Sequence, residues 1–566
     1  MRGKSPFTGT RLSYANIIAI SACALFMLFW FANSYIMEDA FITFRSVQQV
    51  FEGRGPRWNP HERVQAFTHP LWFALLVLGG LFTSDCFLNA IVLSGLSVLA
   101  TLLLGIRRFH GLDGTARVLL FFLGLAISKA FMENTSGGLE SPLSFCLIAG
   151  LLSYTERVHG QVISREDRGA IAATSAQEEE RRLVATQPLP LPPNRQASRY
   201  AFIVSLLAAL ILLCRHDHVL LVGPLCAYVL WKISQNAESK RAVWLGALIG
   251  GAPFIAWTMF SLLYYGFPFP NSYYAKLNSN MTLWSSVSAG AIYFQDSLRR
   301  DPVTLAVVAV AAILSARTRR ANPIAFWCAI GVLAQMLYVL KIGGDWMSGR
   351  FFSCAFLVSL WLVCQMVSLR KLQLGAMLAG SLLVVPLLGA DLSAPIASWN
   401  GVTDTGRVSD FCGVLDVKAH SFYRHGSSTL EYLNSSNKKR FPERGFGEMA
   451  GQLMVARGRV IPFHSAGIVP YLVGPETVFI DEFGLVDAFL ARIKGRPFAD
   501  FLAGHIQRKL PEGYLESVAT GSNVLRDPSL RALYDKMKLI TQGPIFSWQR
   551  FSAILEMNLW PPQVPR

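Results

Sequence analysis

The sequence predicts an α-helical polytopic membrane domain, residues 1–390, followed by a smaller α/β domain, residues 391–566. Three observations carry this expectation. The 566-residue chain is 52% hydrophobic and only 16% charged, with a mean hydropathy of +0.37, whereas a soluble chain carries about 25% charged residues. Apolar runs almost free of charge recur between residues 17 and 390, several of them near the roughly 20 residues that cross a bilayer core. From Asp391 onward charges, Gly, Pro and Ser appear throughout, and no run is long enough to span.

Taken in order, Arg2, Lys4 and Arg11 precede the first apolar run, 17–32. That run ends in Phe29-Trp30-Phe31 with no small-residue cleavage site after it, so it reads as an uncleaved first span and not a signal peptide. Residues 34–70 then form a first external loop. Two apolar runs follow before Arg107 and Arg108; the first, 71–82, is short and reads as a partial insertion. The polar segment 156–199, closed by a Pro-Leu repeat at 188–193, reads as a cytoplasmic loop. Further spans fall at 201–213, 219–231, 243–264, 305–314, 324–340, 351–367 and 372–390. The total is about eleven. In the tail, Val478-Phe479-Ile480 reads as a short strand and 486–493 as the start of a helix.

The formal charge of +16 does not point to nucleic acid. Much of it borders the apolar runs, at Arg107–Arg108, Lys240–Arg241, Arg317 to Arg320 and Arg370–Lys371, where Lys and Arg mark the cytoplasmic side of spans. Under that rule every basic cluster faces inward, and the loops 34–70, 266–300 and 341–350 face outward with the tail. Seven of the nine cysteines lie inside apolar segments, and no disulfide framework or CxxC metal pattern is present.

The outward loops hold the residues able to do chemistry. Glu38 and Asp39 directly follow the first span, where ionised groups are costly unless functional or wet. Phe41, Phe44, Val47, Val50 and Phe51 follow at helical spacing, as in an amphipathic interfacial helix. Adjacent carboxylates there suit removal of a hydroxyl proton, or the holding of a divalent cation, Mg or Mn, against a leaving phosphate. Arg215, His216 and Asp217 sit between two apolar runs; Arg215 either neutralises a donor phosphate or pairs with Asp217. Asn271, Tyr274 and Lys276 lie in an aromatic stretch fitting a lipid phosphate and a sugar, or an interfacial belt. Asp345 and Arg350 occupy a Gly-rich loop in which Trp346 could pack on a sugar, and Glu140 stands beside Gly137 and Gly138. His505 and Arg508 read as structural.

The segments EDAFITFR and EGRGPRWNPHERVQAFTHPLW resemble the first external loop of GT-C glycosyltransferases that use decaprenyl-phosphate arabinofuranose. The family most similar is that of the terminal arabinofuranosyltransferases of actinobacterial cell walls. The likeness continues in order through TSGGLESPL, CRHDH, YYGFPFPNSYYAKL and GGDWMSGRFF, and in the tail through GPETVFIDEFGLVDAFLAR and GHIQRKLPEGY. This resemblance implies a GT-C fold and transfer of a sugar, D-arabinofuranose, from polyprenyl phosphate to a glycan or glycoprotein acceptor. It implies Asp39 as the catalytic base, with Glu38 assisting or binding metal. It also implies a bacterial inner membrane, with the site and the tail facing the periplasm. Pilin or lipopolysaccharide are alternative acceptors. A lipid-sugar flippase is the rival of another class, but it would place ionisable groups near mid-span, and here they cluster in loops.

Overall fold

The structure, a computed structural model, describes residues 14–109, 115–160, 194–367, 410–411, 414–419, 421, 425–497 and 505–560. Most of the cytoplasmic loop expected at 156–199, the last span expected at 372–390, Arg370, Lys371 and the boundary at 390 lie outside the described residues.

The apolar runs are helices. They are α1 (Tyr14–Asn33), α2 (Ala40–Phe51), α3 (Pro70–Gly80), α4 (Cys86–Phe109), α5 (Thr115–Ile127), α6 (Lys129–Glu133) and α7 (Ser141–Val158). There follow α8 (Asn194–Cys214), α9 (His218–Gln235), α10 (Lys240–Tyr264), α11 (Asn271–Leu277), α12 (Leu283–Arg300), α13 (Pro302–Arg317), α14 (Pro323–Ile342) and α15 (Ser353–Met366). Among the described residues α1, α4, α8, α10 and α14 are long and apolar enough to cross a membrane, and α3, α5 and α13 are shorter apolar helices. The chain is a membrane protein on that ground. At 11 residues, α3 reaches only about 16 Å along its axis.

Local chemistry fixes several helix starts. Asp301 and Asn322 each accept a backbone N–H of the first turn, from Thr304 and Ala325, and each precedes a proline; a polar cap followed by Pro is a strong start signal. Within the bundle α8 and α10 touch along their backbones. Gly246 and Gly250 of α10 face the carbonyl oxygens of Ser198 and Phe202, where a Cβ would come within 2.4 and 2.2 Å. This is the small-xxx-small spacing that lets membrane helices approach closely.

The tail carries α16 (Thr429–Asn434), α17 (Phe446–Leu453), α18 (Ile468–Val473), α19 (Tyr514–Thr520), α20 (Pro528–Gln542) and α21 (Trp548–Leu559). Strands β1 (Val460–Phe463) and β2 (Val478–Asp481) pair in parallel, Val460 opposite Val478. The strand expected at 478–480 is therefore present. The helix expected at 486–493 is not, apart from one 3-10 turn at Leu490–Arg492. Asp481 accepts the N–H groups of Phe483, Leu485 and Val486, and Asp487 that of Leu490; such local bonds offer the backbone an alternative to a helix.

The tail's cores are completed from the first part of the chain. Val64 and Phe267 join one cluster with Leu490, Tyr514, Leu533 and Ile540. Trp58 and Ala66 join another with Val469, Phe479 and Val486. The helix α2, expected at a membrane interface, is instead enclosed: Phe41, Phe44 and Val47 are buried on one side, and Thr43, Arg45, Ser46 and Gln49 are buried too. Arg45 is the reason. Its guanidinium donates to the carbonyls of Trp58, Pro470, Gly474 and Thr477, which pulls the polar side of α2 into the tail.

Candidate active site

Asp39 occupies the N-terminal boundary of α2, with no capping bond from its side chain. Its neighbour Glu38 faces the tail, where its Oε1 accepts the Ser465 hydroxyl and the Gly467 N–H, the latter at 2.9 Å. With Glu38 held there, Asp39 stands toward Arg350, Oδ2 to Nη1 at 3.8 Å. The same Nη1 is 3.6 Å from Asp345 Oδ2, and Nη2 is 3.6 Å from Glu140 Oε1. Arg350 thus sits among three carboxylates, each just beyond hydrogen-bond reach. Its Nε is buried with no hydrogen-bond partner among the described residues. Gly349 makes this approach possible: at φ +71° a Cβ there would strike Ala130.

Glu140 is fully buried at the start of α7. Besides Arg350 it has Arg215 Nη1 at 3.8 Å and His69 Nδ1 at 2.9 Å. The other ring nitrogen of His69 lies 2.8 Å from the Thr43 hydroxyl. A carboxylate can only accept, so Nδ1 is the ring nitrogen that carries a proton toward Glu140, while the Thr43 hydroxyl can donate to or accept from Nε2. Burial alone would raise the Glu140 carboxyl; His69, Arg350 and Arg215 outweigh it and hold the group well below the usual range.

Arg215 grips Asp217 through two bonds of 2.9 Å and lies over the Phe351 ring at 4.5 Å. Arg215 is thus paired to Asp217, as one of the two readings expected, and it faces the same carboxylate as Arg350. Both arginines line a small cavity, together with Ser141, Asp217, His218 and Gln335. Burial and the Glu38 carboxylate raise Asp39 to about 7, against the opposing pull of Arg350 and Lys276.

The structure thus gathers Glu38, Asp39, Glu140, Arg215, Asp217, Asp345 and Arg350, while the exposed Lys276 acts on them through its charge on Asp39. It gives the remaining expected residues other partners. The Asn271 amide donates to the carbonyls of Gly484, Leu485 and Asp487, so its side chain ties α11 to the tail. Tyr274 packs on the Arg492 guanidinium at 4.2 Å and on Phe267. His216 meets the rings of Phe254 and Phe269. Arg508 is buried, donating to the carbonyls of Ala275, Phe483, Ile493 and Ile506. His505 meets Trp346 and Phe483 edge-on. The sequence reading passed over His69, whose partners Thr43 and Glu140 are remote along the chain. Among the described residues no group of three or more His, Cys, Asp or Glu side chains is placed to hold a metal ion.

Two arginines thus face one buried carboxylate, and one of them also faces Asp39. The chain is similar to an arabinofuranosyltransferase. The relative is a terminal β-(1→2)-arabinofuranosyltransferase of Mycobacterium tuberculosis, 26% identical over 366 residues, or 58% of this chain and 53% of the relative. The chain spans about half the length of that arabinofuranosyltransferase. Among solved structures it overlaps that of ArnT from Cupriavidus metallidurans bound to undecaprenyl phosphate, with 11% identity, a TM-score of 0.41, and coverage of 86% of this chain and 76% of that one. No family model matches the sequence.

Proposed function

We propose that this chain is a membrane glycosyltransferase that moves a sugar from a polyprenyl phosphate to an acceptor hydroxyl. The observation that carries the reading is the placement of Asp39 beside Arg350, with Arg215 facing the same Glu140 oxygen as Arg350. Asp39 takes the proton of the acceptor hydroxyl as its oxygen attacks the anomeric carbon. The bond from that carbon to the phosphate oxygen breaks, and the electron pair leaves with the polyprenyl phosphate. The growing charge on the phosphate meets Arg350 and Arg215, which line one cavity. Glu140 cannot bind a phosphate itself; it positions both guanidinium groups. A site at the end of a helix bundle suits such a donor, because the lipid tail stays in the bilayer.

The donor set beside Asp39 does not fit a cation held by protein alone. Arg350 stands 3.8 Å from Asp39 Oδ2, and Glu38 Oε1 is bonded to Ser465 and Gly467. The proposal therefore gives the charge role to arginine and lysine. Transfer should survive EDTA; loss with EDTA and recovery with Mg or Mn would contradict this part.

D-arabinofuranose is the proposed sugar and a cell-wall arabinan the proposed acceptor, supported by the arabinofuranosyltransferase likeness; pilin and lipopolysaccharide are the acceptors to offer next. The proposed setting is a bacterial inner membrane with the site facing the periplasm, supported by the basic residues bordering the spans. Purified protein given synthetic polyprenyl-phosphate arabinofuranose and these acceptors tests the reading. Product with any of them supports it. No product, and no binding of the donor, would sink it.

A further inference from the structure

The last described helix, α21, has two apolar faces and uses only one of them inside the protein. Arg550, Ala553, Ile554 and Met557 are buried against the rest of the tail. On the opposite side Trp548, Leu555 and Leu559 are 82%, 55% and 59% exposed. At about 100° per residue these three fall within about 40° of one another, a single stripe along the helix. Phe546 before it and Trp560 after it are exposed as well. So large a contiguous apolar surface signals a partner.

The attachment of α21 identifies that partner. The buried Arg550 donates from Nη1 to the Leu263 carbonyl at 2.8 Å and from Nη2 to the Tyr264 carbonyl at 2.9 Å. Asn558 donates to the Gly266 carbonyl at 2.9 Å. Leu263 and Tyr264 form the end of α10, a helix long and apolar enough to span, whose outward side chains include Ile255, Met259 and Leu263. The buried side of α21 is therefore tied to α10 at the level where that helix leaves the bilayer, and the stripe on its other side is left exposed there. Trp and Leu on one side of a short helix at that level match an interfacial helix, its aromatic rings among the headgroups.

We propose that α21 lies in the membrane interface, with Trp548, Leu555 and Leu559 in the headgroup and acyl boundary. The occupant of this face is the bilayer itself. The tail is then fixed to the membrane at a second point beyond the bundle, next to the 266–276 segment that carries Lys276. The inference rests on α10 being a span and is independent of sugar transfer.

Photo-crosslinking of the full-length protein in lipid nanodiscs tests it. The photoreactive residue p-benzoylphenylalanine is placed singly at Trp548, at Leu555, and at Arg526, an exposed residue paired with Glu512. These are surface positions, so the fold tolerates the exchange. After illumination, mass spectrometry should find lipid adducts at 548 and 555 several-fold above those at 526. Lipid adducts no more frequent than at 526, or adducts to a second copy of the chain in their place, would overturn the proposal.

Discussion

Arg350 stands 3.6–3.8 Å from Asp39, Glu140 and Asp345, close enough to oppose the effects that raise Asp39. Burial and Glu38 raise Asp39 to about 7, and Arg350 lowers it from what it would otherwise be. A base must be ionised to act, so transfer should fall about tenfold per unit as pH drops below about 7 and level off above it. Arg350→Gln removes a positive neighbour, which disfavours the carboxylate, so the limb should move to higher pH. A pH–rate profile of both proteins checks the direction; a limb that stays or moves down would remove Arg350 from this role. Glu140→Gln leaves two buried guanidinium groups less well compensated. Breaking a buried ion pair costs about 3–5 kcal/mol, so this variant should melt lower and bind donor more weakly, read by thermal unfolding and by donor titration. Glu38 and Asp39 were legible in the sequence because a carboxylate pair directly after an apolar run is rare without a reason. His69 was not, since a lone histidine shows nothing until the chain brings Thr43 and Glu140 to its two nitrogens.

At the scale of elements, α2 is the link between the bundle and the tail. Periodicity showed that 41–51 would be a helix with an apolar side, but it could not show that the other side would also be buried. Arg45 decides that, because its four carbonyl partners come from residue 58 and from 470–477. Arg45→Ala removes a donor from each; the Trp58 and Pro470 carbonyls keep the Gln49 amide and the Gly474 N–H, and each carbonyl left buried and unsatisfied costs about 1–3 kcal/mol. The tail should loosen from the first loop, with a lower melting temperature and faster proteolysis between 440 and 480; unchanged melting and proteolysis would mean the cluster is not a fastening. The contact of α8 with α10 makes a second prediction. Gly250→Leu forces a side chain onto the Phe202 carbonyl and should part the two helices, lowering thermal stability.

For the whole molecule, the composition and the spacing of apolar runs were enough to give a helical membrane chain with a polar tail. They did not disclose that Trp58, Val64, Ala66 and Phe267 would complete the tail's cores, because each reads locally as a loop residue. That sharing gives the site its form: the first loop carries Asp39, and the tail holds Glu38 beside it. The most direct measurement is sugar transfer from synthetic polyprenyl-phosphate arabinofuranose by the wild type and by Asp39→Asn, with donor binding measured on both. The wild type should make product, and the variant should fold and bind donor but make essentially none. Equal transfer by the two proteins would contradict it.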